Sequence, residues 1–484
     1  MESLINEAAV VDRMNEQAEQ AAERYFRKYR THMELLEGHS LLSKVRSVTP
    51  YDFYALGKQL ENFEAYKAMC EDDGTLSQLG KIPNVAFDVI TVAYGTAPIS
   101  ALASVQPIDE ERGTVYFKNV IAQTSRGNIV SGDNIAKSDA APDAFPQGFA
   151  SDQLTETIAV LAAGTVAYAG GLSASGLPVR PFTTKVRATV AGVERLIEDT
   201  RGDGTMVGAG GDFGTIDYAT GAVTFELGAA QTPGAGDAGN PIAVTYHTDF
   251  AQQTEIPKIV MRLTTKSVNA RVWALKDTIG LEQSYALRRR FGLIAEDEVA
   301  TDLVSAINSE ITRTLIKILE ANSQGPATLF PKTAPAGVSF FEHKQTFKDA
   351  LADAESVMLG NAGRGMISSI VAGRDVCAII GTLPGFVKLS DGSTIGSHIY
   401  GTLDGATVVR VPYDEVLDTN RALLLYKGTS PFEAPAVYAP YMPLVVTTAL
   451  PTGANPLLNQ KAAAVWSAVE SLVPNFITTL DVTP

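Results

Sequence analysis

Little in this sequence points to chemistry. Cysteine is nearly missing: Cys70 and Cys377 are the only two among 484 residues. They are too few for a disulfide framework and too far apart for a metal knuckle, as in proteins of a reducing compartment. The five histidines, His32, His39, His247, His343 and His398, include no i, i+4 pair and no His-Glu-x-x-His, which removes a common zinc arrangement. No apolar run reaches about 18 residues, so no membrane span is predicted. The first residues, Met1 to Glu7, carry neither a basic region nor an apolar core. The reading is therefore no signal peptide and a protein made and used in the cytosol, or packaged from it. Positive charge is also short. Lys and Arg number 39 against 54 Asp and Glu, a net charge of −15. That balance disfavours gripping a phosphate backbone, which needs clustered cations, although an acidic wall can enclose DNA without adhering to it.

Several segments imitate ligand loops without completing them. Asp199-Thr-Arg-Gly-Asp-Gly-Thr205 has Arg201 where a calcium loop needs a carboxylate, and Gly210 where it needs its bidentate Glu. In Gly208-Ala-Gly-Gly-Asp-Phe-Gly214, Phe213 occupies the third glycine position of a dinucleotide loop, and no Gly-Lys-Ser/Thr follows. Gly171-Leu-Ser-Ala-Ser-Gly176 misses the nucleophile elbow. The runs Asp109-Glu110-Glu111 and Glu296-Asp297-Glu298 read as solvated faces. No catalytic, cofactor-binding or metal-ligating residue is predicted, no cofactor is expected, and the chain does not read as an enzyme.

What the sequence does contain is long elements that need neighbours. Its length implies two or three structural units. Residues 1–36 read as an amphipathic helix with a thin stripe of Leu4, Ala8, Val11, Ala18, Ala22, Tyr25 and Tyr29, too narrow to bury itself alone. A second helix is predicted over 50–69, strands over 85–95 and 113–122, and a long loop or extended hairpin over 124–157. Residues 158–248 are rich in glycine and threonine, with a hairpin over Ile216–Phe225 and a strand over Pro241–His247; they read as an inserted small β-sandwich or barrel. One long strand is expected over 256–280. Val299, Leu303, Ile307, Ile311 and Leu315 recur every fourth residue, so 281–322 reads as a helix spanning roughly 60 Å, with Gly292 a possible break near its start. A further helix over 344–359, strands between 366 and 449 with a short helix at 374–380, and a helix at 459–472 complete an α+β reading.

The order of these parts resembles the Hong Kong 97 type fold of tailed-phage capsid proteins. Three stretches are similar to the T-even-like major capsid protein family: Ser104-Val-Gln-Pro-Ile108; the segment Phe291 to Ile311 with Thr312-Arg313-Thr314; and Tyr426-Lys-Gly428 followed by Val437-Tyr-Ala-Pro-Tyr-Met-Pro-Leu444. The resemblance implies an N-terminal helical arm (1–50), the start of a P-domain with the E-loop (51–157), an inserted β-sandwich-like domain (158–250), the P-domain with spine helix 281–322 (251–340), an A-domain (341–435), and a returning P-domain strand with the C-terminal tail (436–484). It also implies self-assembly into hexamers and pentamers, an icosahedral virion head around double-stranded DNA, and scaffold, portal and decoration or minor capsid proteins as partners. Family members are often trimmed by a prohead protease after a hydrophobic-x-Glu triplet, and Leu35-Leu36-Glu37 before Gly38 fits that pattern. Residues 158–248 depart from the family's usual insertion, and the tail after Tyr441 is short. A vertex paralogue, an encapsulin-like shell and a surface adhesin with a β-rich binding module are the alternatives.

Overall fold

The structure, a computed structural model, describes residues 19–39, 48–72, 98–126, 129–135, 149–172, 178–228, 232–251, 256–292, 295–390, 396–428, 430–447, 450–452 and 455–484. The fold is mixed α+β in two compact units. Unit 1 comprises Met1–Lys118, Lys137–Ala140 and Leu263–Pro484, and unit 2 comprises Asn119–Ala136 and Ala141–Arg262.

Unit 1 begins with the arm, helical over 19–28 and again in α1 (Arg30–His39) after a bend at Tyr29, followed by α2 (Pro50–Asp72). Two sheets form its body. The five-stranded sheet runs β1 (Ser104–Val105), β19 (Ala436–Val446), β21 (Asn455–Ser471) and β12 (Arg271–Gly280), with β20 (Leu450–Thr452) also on β21. The seven-stranded sheet runs β13 (Thr328–Pro331), β22 (Ile477–Thr483), β18 (Arg421–Leu425), β14 (Ser369–Ala372), β17 (Ala406–Arg410), β16 (His398–Leu403) and β15 (Phe386–Lys388). Helix α3 (Leu281–Phe291) precedes α4 (Ala295–Ala321), and α5 (Phe340–Gln345), α6 (Phe347–Ala362) and α7 (Arg374–Ile380) follow.

The central strands read as continuous apolar runs because both of their faces are covered. Along β18, Leu423 and Leu425 join a core with Leu303, Ile307, Ile311 and Leu315 of α4. The alternate residues Ala422 and Leu424 join a second core with Phe347, Ala354 and Met358 of α6. Each such buried leucine contributes roughly 1.5–3 kcal/mol. Arg421 pins the C-terminal strand: its Nε and Nη2 donate to the Asp481 oxygens at 2.8 and 3.0 Å, and Nη1 donates to Glu320 of α4 at 3.0 Å.

The chain leaves unit 1 along β2 (Arg112–Ala122) and returns along β11 (Ile259–Asn269). These pair as an antiparallel ribbon: Ala270 N–H meets the Glu111 carbonyl, and Gln123 N–H meets the Lys258 carbonyl, both at 2.8 Å. Unit 2 holds an eight-stranded sheet of order β3 (Gln153–Val160), β10 (Pro241–His247), β5 (Lys185–Val190), β6 (Val193–Glu198), β7 (Thr205–Gly208), β8 (Phe213–Ile216), β9 (Ala222–Glu226) and β4 (Ala167–Gly171). Every pairing is antiparallel. Strict alternation puts Val186, Ile197, Met206, Val223, Phe225, Val244 and Tyr246 into one core. The sheet curls until its ends meet, because a Cβ on Gly170 of β4 would lie 2.9 Å from the Ile158 Cβ of β3. The two-residue β5–β6 connection needs positive φ at both positions, which Ala191 (51°) and Gly192 (74°) adopt. Asp237 braces it by accepting the Ala191 N–H at 2.8 Å.

Four expectations are corrected. The single helix over 281–322 is two helices, because Gly292, at φ 72°, caps α3 in the left-handed region. The remaining α4 is about 40 Å long. The single strand over 256–280 is two strands in different sheets, divided at Ala270. Residues 459–472 form no helix but lie in β21, paired with β12 on one side and β19 on the other; the local preference of Ala462-Ala463-Ala464 for helix loses to two ladders. Residues 153–157, read as loop, belong to β3. The expected strand over 85–95 and residues 1–18 of the arm helix lie outside the described residues.

Candidate assembly surface

Two of the three stretches singled out in the sequence converge at the root of the ribbon. Ser104 and Val105 pair in parallel with Val437 and Tyr438. Gln106 and Ile108 N–H groups extend the contact to the Tyr438 and Pro440 carbonyls at 2.9 and 3.1 Å. Gln106 is buried and uses its amide at both ends. Oε1 accepts the Tyr116 N–H at 2.9 Å, and Nε2 donates to the Tyr116 carbonyl at 2.9 Å and the Pro431 carbonyl at 3.1 Å. This one side chain gives β2 the donor and acceptor that a neighbouring strand would otherwise supply. Lys427 closes the same corner by donating to the Ser100 carbonyl and, at 2.8 Å, to the Ala103 carbonyl.

A second part of unit 1 is bare. β12 lies at a sheet edge, paired to β21 from Arg271↔Ser467 to Gly280↔Leu458, with Val272 and Leu275 exposed. Helix α3 continues from it without a single buried residue; Leu281, Tyr285 and Phe291 are 60%, 64% and 70% exposed. A long edge strand and a helix with uncovered apolar groups make this a candidate interaction surface. Sequence reading missed this surface, because Leu281 and Tyr285 sit at the spacing of ordinary core positions. The adjacent triplet Arg288-Arg289-Arg290 was the available signal.

A family model for the major capsid protein Gp23 matches residues 84–456. The chain belongs to the Gp23 major capsid protein family. None of the curated proteins matches it. Solved structures similar to this capsid protein include the jumbo bacteriophage PhiKZ capsid, at 9% identity and a TM-score of 0.38 over 79% of this chain and 91% of that one. Gordonia phage Cozz follows at 13% identity and 0.33, over 48% and 76%. The capsid of Myoviridae phage XM1 gives 12% and 0.30, over 48% and 80%.

The arm of this capsid protein packs on α2. Tyr25, Tyr29, Met33 and Leu36 bury against Leu56, Leu60 and Phe63, and Gly57 makes the room, since a Cβ there would lie 2.3 Å from the Tyr25 ring. Tyr25 Oη donates to Glu61 at 2.6 Å, Arg24 pairs with Glu61 at 3.0 Å, and Lys28 pairs with Glu64 at 2.6 Å. Glu37 and Gly38, the cleavage candidates, fall in the last turn of α1; both are exposed, beside buried Leu36. The Tyr25 hydrogen bond, helped by Lys58 and Arg24, holds the Glu61 carboxyl below its ordinary value of 4.5. A carboxyl whose folded-state value is depressed stabilises above its ordinary range, and that stability is lost as pH falls through the lowered value. Amides of residues 22–36 are therefore expected to exchange faster, after correction for intrinsic rates, as pH falls below the ordinary carboxylate range. Glu61→Gln should show the faster exchange already at neutral pH and flatten the pH dependence; unchanged protection in both experiments would rule out the clamp.

Two of the ligand-like loops of this capsid protein, 199–205 and 208–214, are braces, and residues 173–176 of the third lie outside the described residues. Asp199 Oδ1 accepts the Gly202 N–H at 2.8 Å, while Oδ2 accepts the Phe182 N–H at 2.8 Å and the Tyr218 hydroxyl at 2.6 Å. Burial, with Asp199 second, pushes the Tyr218 hydroxyl up to about 12. Asp203 accepts the Thr205 N–H at 2.9 Å, and Asp212 accepts the Gly228 N–H at 2.7 Å. Among the described residues no group of three His, Cys, Asp or Glu side chains is placed to hold a metal ion.

Proposed function

We propose that this capsid protein builds the icosahedral head of a tailed bacteriophage, joining copies of itself as hexamers and pentamers around double-stranded DNA. The observation that carries the reading is the family match over residues 84–456, which spans the ribbon root and the whole of α4. In a Hong Kong 97 type layout we assign 1–50 to the arm, 51–157 to the P-domain start and E-loop, 158–250 to an inserted β-domain, 251–340 to the P-domain, 341–435 to the A-domain and 436–484 to the returning strand and tail. The spine is then α3 and α4 in place of one helix. The ribbon of β2 and β11 would lie across a neighbour as the E-loop, and the inserted domain would brace neighbours or take a decoration protein on the outer surface. Scaffold, portal and minor capsid proteins would complete the head in the bacterial cytoplasm. Many modest contacts, repeated around every copy, sum to a strong shell. A net charge of −15 suits a wall that confines DNA without holding it.

Glu37–Gly38 is our proposed site for a prohead protease. The bond is exposed but helical, so the last turn of α1 must unwind to enter a protease cleft. Mass spectrometry of mature heads would find a chain starting at Gly38 if the bond is cut.

Negative-stain electron microscopy of the protein expressed in bacteria tests the main reading. Closed shells, tubes or hexameric rings are expected. A small defined oligomer with no curved lattice at any concentration would overturn it.

A further inference from the structure

We infer that the outward stripe of α3 is a contact between subunits, occupied by the acidic surface of a second copy of this chain; the inference rests on the shell reading above. Helix positions three and four apart are neighbours on the surface, so Leu281, Tyr285, Arg288 and Arg289 form one stripe. The half-covered positions Ser284 and Leu287 lie on another flank of α3. The helix is therefore held by that flank, and the stripe stands away from the body. Arg289 leans on Tyr285: its Nη1 lies 3.4 Å from the hydroxyl and its guanidinium 5.9 Å from the ring centre. Neither Arg288 nor Arg289 forms an ion pair with a carboxylate among the described residues.

Cations in the last turn of a helix offset its carbonyl ends. That accounts for the arginines but not for bare Leu281 and Tyr285 on the same face. Tyrosine and arginine beside an apolar residue is the composition of an interface centre. The charge then selects the occupant. This chain carries 54 acidic residues against 39 basic, so a second copy carries a net charge opposite to that of the arginines. Nucleic acid would satisfy the arginines and leave Leu281 and Tyr285 wet. A patch that meets a different patch on the next copy is also the arrangement that closes rings and extends lattices.

The test compares wild type, R288E/R289E and Y285A by sedimentation velocity and electron microscopy, with circular dichroism melts to show that the fold is kept. Wild type should associate, and added salt should weaken the association. Both variants should melt as wild type, with association weakened roughly tenfold or more in R288E/R289E. Shells from R288E/R289E equal to those of wild type would overturn the contact and leave the shell reading standing. Unchanged assembly with loss of co-purifying nucleic acid would also overturn it, assigning the arginines to nucleic acid. Wild type that forms only small oligomers, abolished in the variant, would keep the contact and sink the shell reading. A wild type that never associates would sink both.

Discussion

Gly373→Ala is expected to lower the melting temperature of unit 1 by roughly 4 °C. Gly373 joins β14 to α7 and is buried; its N–H donates to the Arg421 carbonyl at 2.9 Å. Its backbone angles are ordinary, φ −64° and ψ 169°, so conformational freedom is not the reason for glycine here. The reason is contact. An added Cβ would lie 2.3 Å from the Asp418 carbonyl oxygen, 2.6 Å from that of Thr419 and 2.7 Å from the Thr419 carbonyl carbon. All three are backbone atoms, so no side chain can swing aside. The 418–420 turn must move, and β18, which starts at Arg421 and pairs with β14 from Ala422 to Leu425, moves with it. Overpacking of this kind costs about 3 kcal/mol. Gly360, on the exposed side of α6 with nothing within 4 Å of its added Cβ, is the control. Gly360→Ala should be neutral or stabilising by up to about 1 kcal/mol. Equal melting of the two variants by calorimetry would refute the steric account.

Arg126→Leu should cost a comparable free energy, confined to unit 2. Arg126 is among the largest fully buried side chains of the chain. Its Nη2 donates to the Ser151 carbonyl at 2.9 Å and the Thr248 hydroxyl at 2.6 Å, and its guanidinium lies 4.9 Å from the Phe250 ring centre. Residues 151 and 248 flank the start of β3 and the end of β10, so this one side chain ties the incoming segment to both. Burial pulls its ionisation downward, a sign that the charge is kept at a cost and used. Removing the guanidinium leaves buried acceptors without that donor, at about 2–4 kcal/mol. Calorimetry should resolve two transitions, with only that of unit 2 shifted, by roughly 10 °C, and Arg126→Lys should recover part of the loss. Equal shifts in both transitions would show that Arg126 does not act on unit 2 alone.

Helix α4 was legible because its apolar residues recur every fourth position and bury in one core. The β8–β9 hairpin was legible because a local turn lies between two alternating runs. Both are short-range signals. β21 was not legible, since Ala462 to Ala464 favour helix locally and are held as strand by pairing with β19 on one side and, on the other, with β12 almost 200 positions earlier. The division at Ala270 was hidden because the apolar alternation continues across it. At the ribbon root, the Val105-Gln106-Pro107 stretch stood out by resemblance, while the work of Gln106 on Tyr116 needed the fold to be seen. The stripe on α3 was masked by its own regularity: periodicity says which residues share a face, not whether anything covers it.

The hydrogen bond from Gln123 to Lys258, at 2.8 Å, places the two ends of everything between them side by side. From the standpoint of the rest of the chain, the intervening stretch is a hairpin turn of arbitrary content. The cost of closing such a gap rises only with the logarithm of the length left unfolded, and it falls away when the stretch folds with its own ends adjacent. A lineage carrying this ribbon can therefore exchange what hangs from it by recombination without renegotiating the fold beneath, and a foreign antigen with neighbouring termini could be spliced in at the same two residues.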